Sequence, residues 1–236
     1  QESSRRIGTK VCGGSVTYSG MASYLPAELI EKPFSSQHIR TGRQQTVISS
    51  PQPIISTVNR ENLGQWMAQN ALRAGATIKT GVHVTEITEK EVITGSTPYT
   101  YDFLVGADGS NSLVRRFLNI PSKHVGAGVQ YLVPGDFAEM VWHLDPDQFA
   151  TGYAWIFPHK NCASVGAYVN RTDMSPQLLQ QKLHHWMAKH GMNRAGLKAE
   201  AATINFDFRG FHFGNCFLVG DAAGLASGLT GEGIYS

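Results

Sequence analysis

Short apolar runs alternate with polar, turn-forming segments along most of the chain, and two of the runs are followed by similar turns. Residues 103–105 and 217–219 both read Phe-Leu-Val, which predicts two short buried strands. Each run continues through glycine to an aspartate and then to a helix start. The repeated pattern predicts an α/β sheet in which both turns lie beyond the carboxyl ends of strands, where ligands bind.

The two turns supply the first candidate binding residues, Asp108 with Gly109 and Gly220 with Asp221. An aspartate at the end of a buried strand presents a carboxylate, and the neighbouring glycines and helix start present backbone N–H groups. Either turn alone is better interpreted as an ordinary Asp-Gly turn. Two turns in the same context favour a shared ligand.

Helical periodicity appears in three places. The first helix follows an apolar, β-branched run at 54–58, with Asn59 as a plausible N-cap and Gly75 as its end. Strands are expected after it, at 77–79 and 82–88. The helix that follows Asp108 would be capped by Ser110 or Asn111. A third helix has Ser175 as its cap and Pro176 in its first turn. The first helix is expected to pack through Leu63, Met67 and Ala71, and the third through Leu179, Leu183, Trp186 and Met187.

Between the two Asp-Gly-type turns, residues 120–213 have the texture of an antiparallel sheet. In one strand, Tyr153, Trp155 and Phe157 alternate, so all three aromatic side chains point to one face. Core packing is the default interpretation, but such a face could equally wall an apolar ligand cavity. The predicted strands of this region are 128–133, 138–144, 152–158, 162–169 and 201–208.

Composition narrows the function classes. The chain has 236 residues, 42% of them hydrophobic and 16% charged, with a formal net charge of +2. This balance fits a globular protein and does not favour nucleic acid as a partner. No apolar run approaches the length of a membrane span.

Three cysteines without C-x-x-C spacing argue against a disulfide framework or a zinc site, and favour a reducing, cytoplasmic location. Cys12, before Gly13 and Gly14, could be a reactive thiol beside a cavity, although a small residue in a turn is the favoured interpretation. The histidines near the third helix lack ligand spacing, so no metal site is expected. These are His184, His185 and His190.

Two motifs resemble those of the FAD-dependent oxidoreductases of the aromatic-hydroxylase type. Residues 103–116 resemble their Asp-Gly motif, and residues 218–234, with VGDAAG and LTGEGI, resemble their Gly-Asp motif. The segments KVCGG (10–14), YAWIFP (153–158) and LTGEGI (229–234) are similar to the geranylgeranyl reductase branch. The resemblance implies a Rossmann-like FAD/NAD(P)-binding domain, α/β in character, with an inserted, mainly antiparallel substrate domain.

The resemblance also implies roles for particular residues. Asp221, next to Gly220, would bind the ribityl chain of FAD, and Asp108 with Gly109 would lie near the pyrophosphate. Backbone N–H groups opening a helix would face the pyrimidine edge of the isoalloxazine and stabilise the reduced flavin. Those N–H groups belong to Thr230, Gly231, Glu232 and Gly233, and the residues bordering a hydrophobic substrate cavity would be Cys12, Tyr153, Trp155 and Phe157.

The glycine motif with which the family opens, G-x-G-x-x-G, does not occur in this sequence. The spacing from Glu2 to Cys12 matches the family interval between the ribose-binding acid and the cysteine, so Glu2 is expected to be that acid. We therefore expect the chain to be part of a longer protein, continuing at both ends. The expected domains are 1–119 for FAD, with some substrate-domain strands in 15–55, then 120–213 for substrate, and 214–236 as the return to the first domain.

The predicted function is that of a flavoprotein that reduces double bonds of an isoprenoid or other hydrophobic substrate, using NAD(P)H or another external donor. Peripheral membrane association and the oligomeric state are left open. A monooxygenase on the same scaffold is the first alternative. The second is that the chain as given no longer binds cofactor.

Overall fold

The computed structural model describes residues 2, 4–22 and 24–234 of the chain. Its helices are α1 Tyr18–Ala22, α2 Arg60–Arg73, α3 Leu113–Phe117, α4 Pro146–Phe149, α5 Pro176–Lys189 and α6 Gly220–Ala223. Its strands are β1 Ser15–Thr17, β2 Ile30–Phe34, β3 Ser36–Thr41, β4 Gln45–Ser49, β5 Ile55–Val58, β6 Glu86–Ile87, β7 Glu91–Thr94, β8 Thr97–Thr100, β9 Leu104–Gly106, β10 Val125–Pro134, β11 Val141–Leu144, β12 Tyr153–Pro158, β13 Cys162–Asn170, β14 Glu200–Asn205, β15 His212–Phe213 and β16 Cys216–Leu218.

A seven-stranded sheet forms the largest layer, in the order β14-β10-β13-β12-β11-β3-β4. Its neighbours pair antiparallel except β11 and β3, which are parallel. All five strands predicted within 120–213 are present, which confirms the antiparallel sheet. Two further strands, β3 and β4, come from the region before residue 55. The domain boundaries stay a prediction.

Helix α5 covers one face of this sheet. Ser175 accepts a hydrogen bond from the Leu178 N–H, and Pro176 begins the first turn, where its missing N–H costs nothing. The four apolar side chains predicted to share a face are all fully buried against the sheet. The prediction for α5 is therefore confirmed in its cap, its first residue and its packing face.

The two Asp-containing turns lie side by side on a small sheet of order β15-β16-β9. Strands β9 and β16 pair in parallel, with Leu104 opposite Cys216 and Leu218 opposite Gly106. Their carboxyl ends therefore meet at one edge, as the repeated pattern predicted. The expectation of full burial was wrong, because Phe103 is 70% exposed and Val105 is 56% exposed. The described residues therefore cover these two side chains only in part.

The predictions for two helices need correction. Helix α3 is capped by Ser112, which accepts from the Arg115 N–H, and not by Ser110 or Asn111. Helix α2 begins after Asn59 as predicted, but it packs through Leu63 and Gly64, while Met67 is 54% exposed. Gly64 packs so closely on Gly8 that an added Cβ would lie 2.5 Å from its Cα.

Of the strands predicted at 77–79 and 82–88, only β6 forms in the described chain, and Thr80 makes an isolated bridge to Glu2. None of the described helices is both long enough and apolar enough to cross a membrane.

Candidate active site

A cavity lies between the large sheet and three other parts of the chain: residues 10–17, Asp221 in α6 and the loop residues 230–234. It has about 1060 Å³ of empty space, part of it continuous with solvent. The sheet contributes side chains from β10 to β14, so the wall opposite α5 faces this space. Among the described residues that line it are Cys12, Tyr153, Trp155, Phe157, Asp221, Thr230, Gly231, Glu232 and Gly233.

The aromatic face of β12 forms the apolar wall. The Tyr153 and Trp155 rings lie 5.8 Å apart between centroids, and Trp155 and Phe157 lie 5.6 Å apart. The alternate residues Ala154 and Ile156 pack on the other side, in the core beneath α5. One strand therefore serves both the core and the cavity, as the alternation predicted.

A buried polar chain fixes the tilt of Trp155. Its indole Nε1 donates to Ser164 Oγ at 2.8 Å, and Ser164 Oγ donates to Gln130 Oε1 at 2.9 Å. Gln130 Nε2 in turn donates to the backbone oxygen of Cys12 at 3.2 Å. The same chain thus couples the aromatic wall to the segment that carries Cys12.

Residues 12–14 cross the aromatic wall at close range. A Cβ at Gly13 would lie 3.0 Å from a Phe157 ring carbon, and one at Gly14 would lie 2.5 Å from His159 Cε1. Gly14 also has a φ of +74°, which favours glycine. The ring nitrogens of His159 face Glu31 Oε2 (2.5 Å from Nδ1) and the Gly13 carbonyl (3.0 Å from Nε2). Gly13 and Gly14 are required because the backbone passes so close to Phe157 and His159 that a side chain would not fit.

Asp221 projects from the first residues of α6 into the cavity, with its side chain 9% exposed. Its Oδ2 accepts from Lys10 Nζ at 2.8 Å and from Ser110 Oγ at 3.1 Å. Its backbone oxygen accepts from Asn205 Nδ2 at 2.9 Å. The carboxylate is thus held at the junction of three distant segments.

Two tyrosines of the large sheet hold the loop 228–232. Tyr168 OH donates to the Gly228 carbonyl at 2.9 Å, and Tyr153 OH donates to the Thr230 carbonyl. Burial raises the pKa of Tyr168 to about 12 and raises the pKa of Tyr153 still further. Both phenols therefore stay protonated and keep these hydrogen bonds at physiological pH.

Residues 230–233 are not themselves helical in the structure, and a helix that begins after them stays a prediction. Residues 228–230 form a turn, and no helix follows it within the described residues. The Thr230 N–H donates to Ser227 Oγ, the Gly231 N–H to the Ser227 carbonyl, and the Glu232 N–H to Thr230 Oγ1. Three of the four N–H groups proposed for the flavin ring are thus bonded inside the loop.

Glu232 is the unusual polar group of this wall. Its Oε1 is buried and accepts no hydrogen bond from any described residue. Burial raises the pKa of the carboxyl, while a backbone hydrogen bond from Thr17 opposes that shift in part. From the sequence, only the backbone N–H of Glu232 was predicted to have a role. Nothing in its spacing revealed the environment of its side chain.

The remaining predicted residues lie outside the cavity lining. Asp108 Oδ2 accepts from the N–H groups of Leu113 and Val114, at 2.6 and 3.3 Å, so it serves the start of α3. Glu2 Oε1 accepts from the Ser4 N–H. Gly109 and Gly220 have φ values of +76° and +53°, and a Cβ at either would meet open space.

Two charged residues that sequence reasoning missed organise the turns. Lys10 pairs with Asp221 as described. Arg115, 2% exposed, donates from Nη1 to the carbonyls of Ala222 and Ala223 and from Nη2 to those of Pro121 and Asp207, at 2.6 to 3.2 Å. Both lie within motifs already quoted, but only their distant partners reveal what they do. Arg115 ties the helix after the first turn to α6.

The histidine and cysteine side chains do not add a metal site to the described part of the chain. In the part of the chain that the structure describes, no three His, Cys, Asp or Glu side chains are arranged to hold a metal ion. His184 Nε2 lies 2.6 Å from Tyr131 OH. The three cysteines are free thiols.

Comparison with known proteins places this site in context. No family model matches the chain. An uncharacterised protein of Methanosarcina barkeri is 30% identical over 241 residues, which cover 96% of this chain and 61% of that protein. Geranylgeranyl diphosphate reductase of Rhodobacter capsulatus is 24% identical over 249 residues, covering 96% of this chain and 62% of the enzyme. The chain is therefore similar in sequence to a geranylgeranyl diphosphate reductase along most of its length. It spans about three fifths of the length of these relatives.

Solved structures agree on the fold. A geranylgeranyl bacteriochlorophyll reductase-like protein of Thermoplasma acidophilum superposes with a TM-score of 0.85 at 18% identity, covering 99% of this chain and 67% of that protein. The halogenase PltM, in complex with FAD, gives a TM-score of 0.68 at 12% identity and covers 100% of this chain and 60% of that protein. The fold of the FAD-dependent oxidoreductases predicted from the two motifs is confirmed.

The residues present fit a flavin nucleotide. Asp221 offers a carboxylate in the cavity, where hydroxyl groups could replace its present partners. The open space at Gly109 and Gly220 leaves backbone accessible at the carboxyl ends of the two parallel strands, where such ligands bind.

Proposed function

We propose that the protein is a flavin-dependent reductase that saturates double bonds of an isoprenoid or a similar hydrophobic chain. The observation that carries the proposal is the cavity, which puts the aromatic face of β12 and the Asp221 carboxylate around one space. The homology to geranylgeranyl reductases supports the same reading. The FAD supplies hydride when it is bound and reduced.

The chain's own residues would then divide the work. Asp221 would accept hydrogen bonds from the ribityl hydroxyls, while Asp108, Gly109 and Gly220 would shape the path of the pyrophosphate. Glu2 would contact the ribose. Residues 230–233 would border the isoalloxazine. They belong to a loop that Tyr168 holds at Gly228 and Tyr153 holds at Thr230.

The substrate would lie along the apolar wall. Tyr153, Trp155 and Phe157 would bury its hydrocarbon chain, worth about 0.8 kcal/mol per buried CH₂. Cys12 would close the side of the cavity next to Gly13. An external reductant, NAD(P)H in the simplest case, would restore the reduced flavin. A substrate of this kind implies contact with a membrane surface.

The decisive experiment uses the full-length, FAD-loaded protein. Anaerobic chemical reduction followed by a polyprenyl lipid should give chains with fewer double bonds, counted by mass spectrometry. No saturated product from any of several prenyl lipids would refute the proposal. Substrate-stimulated oxygen consumption with hydroxylated product would establish the monooxygenase alternative instead. A colourless protein that takes up no FAD would establish the non-binding alternative.

A paired substitution tests the cofactor role of Asp221. Asp221→Asn removes the charge that strengthens its hydrogen bonds, which are worth about 1.5–3 kcal/mol each, so FAD should bind about 10- to 10²-fold more weakly. Asp147→Asn, the same change at an exposed residue in the first turn of α4, outside the cavity lining, should leave FAD affinity unchanged. Equal affinities in the two variants would remove Asp221 from the cofactor site.

A further inference from the structure

Glu232 combines three properties that are rarely found together in a glutamate. It lines the cavity beside the aromatic wall, its backbone is fixed by hydrogen bonds within the loop, and its Oε1 is buried without a partner among the described residues. Ionising a carboxyl is costly when one of its oxygens is buried without a donor, even where the group receives one backbone hydrogen bond, and the neutral form is tolerated better. The geometry therefore favours a protonated side chain.

The surroundings of Glu232 do not reverse this preference. Burial is the largest influence on its pKa and raises it, and only the Thr17 backbone acts in the other direction. Lys10, one of the two cations in the cavity lining, is already paired with Asp221, and neither Lys10 nor Arg60 contributes to the shift in the pKa of Glu232. The other titratable side chains lining the cavity are Lys10, Cys12, Arg60, Tyr153, Tyr168 and Asp221.

We infer that Glu232 is the proton donor for double-bond reduction in this cavity, an assignment that rests on the proposed function. Saturating one double bond requires a hydride on one carbon and a proton on the other. A reduced flavin is the hydride source. The proton must come from an acid that reaches the same cavity, and the two buried tyrosines are poor acids because their pKa values are raised.

The atoms and electrons balance with this assignment. The π bond of the alkene breaks, and its electron pair takes the proton as the O–H bond of the Glu232 carboxyl breaks. The hydride forms the second C–H bond at the neighbouring carbon. The products are the saturated chain, the oxidised flavin and the Glu232 carboxylate, which solvent reprotonates through the open side of the cavity.

The aromatic wall assists the same step. Proton addition leaves positive charge developing on the more substituted carbon of an isoprenoid double bond. Tyr153 and Trp155 line the same cavity, and an aromatic ring stabilises such charge by cation–π attraction where the charge lies over its face. A neutral acid on one side and aromatic rings on another are thus suited to protonating a hydrocarbon.

The test compares Glu232→Gln with Glu91→Gln in the FAD-loaded, full-length protein. Glu91 is a partly exposed glutamate on β7, outside the cavity lining, so it controls for the chemical change. We expect both variants to retain wild-type FAD content. Single-turnover saturation of a polyprenyl lipid should slow by about 10²- to 10⁴-fold in Glu232→Gln alone. Glu232→Asp, which keeps an acid, should recover part of the rate.

A second readout does not depend on activity. Infrared spectra at neutral pH should contain the C=O stretch of a neutral carboxyl in the wild type and in Glu91→Gln, and Glu232→Gln should lack it. An active wild type without this band, or a Glu232→Gln variant that reacts as fast as wild type, would overturn the inference alone. A wild type that saturates no prenyl chain would overturn the proposed function and the inference with it.

Discussion

The large sheet with α5 and the small sheet with its two Asp-containing turns are stabilised in different ways. In β12 every residue is buried, with one face under α5 and the other at the cavity. In the small sheet, by contrast, Phe103 and Val105 are mostly exposed. Its turns are held by polar contacts instead: Arg115 to four carbonyls, and Asp221 to Lys10, Ser110 and Asn205.

The difference shows how this fold separates stability from binding. Apolar burial is not directional, so it suits a scaffold. A cofactor site needs groups at defined positions, and hydrogen bonds to backbone carbonyls provide them. The cavity lies where the two kinds of structure meet, with an apolar wall from one and a carboxylate from the other. Substitutions in each region should show whether apolar burial stabilises the large sheet and polar contacts hold the turns.

The largest effect is expected at Arg115. Arg115→Met should cost about 3–5 kcal/mol of unfolding free energy, because it leaves the buried carbonyls of Ala222, Ala223 and Asp207 without this donor and the Asp207 carboxylate without its buried neighbour. Urea unfolding of the protein measures this cost. Arg116→Met, at the exposed neighbouring position, should change stability by less than about 0.5 kcal/mol. Similar midpoints for both variants would mean that polar contacts do not hold the turns.

Helix α5 offers a matched pair for the apolar region. Leu179 is fully buried and Leu178 is 43% exposed. Leu179→Ala should cost about 2–5 kcal/mol through lost burial and a cavity. Leu178→Ala should stay within about 0.5 kcal/mol. Urea midpoints that shift equally would contradict the packing assigned to this helix.

Two glycines on the cavity face of the sheet give the next effect. A Cβ at Gly166 would lie 2.3 Å from a Trp155 ring carbon, whereas at Gly128 the nearest atom is 3.7 Å away. Gly166→Ala should therefore cost about 1–3 kcal/mol and displace Trp155. Gly128→Ala should be neutral or stabilising by about 0.5–1 kcal/mol. Thermal unfolding and tryptophan fluorescence check both variants. If Gly166→Ala changes neither the melting temperature nor the fluorescence, Trp155 can move aside without cost and the prediction is wrong.

The smallest effect concerns pH. The pKa of Glu232 is raised in the folded protein, so folding favours its protonated form. That contribution is present in full below the unfolded pKa and is lost as pH rises through the higher folded value. The stability of wild type relative to Glu232→Gln should therefore fall between acidic and neutral pH. Urea midpoints of both proteins across that range give the sign, and a relative stability that rises with pH would contradict it.

The sequence predicted the elements whose partners are close in the chain or periodic. Ser175, Pro176 and the buried stripe of α5 follow from local capping and helical spacing, and the face shared by Tyr153, Trp155 and Phe157 follows from strand alternation. The convergence of the two turns was also predicted, because parallel strands bring their carboxyl ends to one edge.

Other features depend on segments that approach from far away. An apolar run indicates a strand but not whether anything covers each face, so the exposure of Phe103 could not be read from it. The ion pair between Lys10 and Asp221 forms only because residues 10–17 come close to α6 in the folded chain. The unpartnered oxygen of Glu232 and the internal hydrogen bonds of its loop are likewise set by geometry that no residue spacing encodes.

The parallel pairing of β9 with β16 has a consequence for how the protein folds. Five of the seven strands of the large sheet lie between these two strands in the chain, so their contact closes one very long loop. Such closure carries an entropic cost that is recovered only after the intervening strands have found one another, and contacts of this kind form slowly. The sheet with α5 should therefore assemble first. The cofactor site would be completed last, which makes cofactor uptake a report on the final stage of folding.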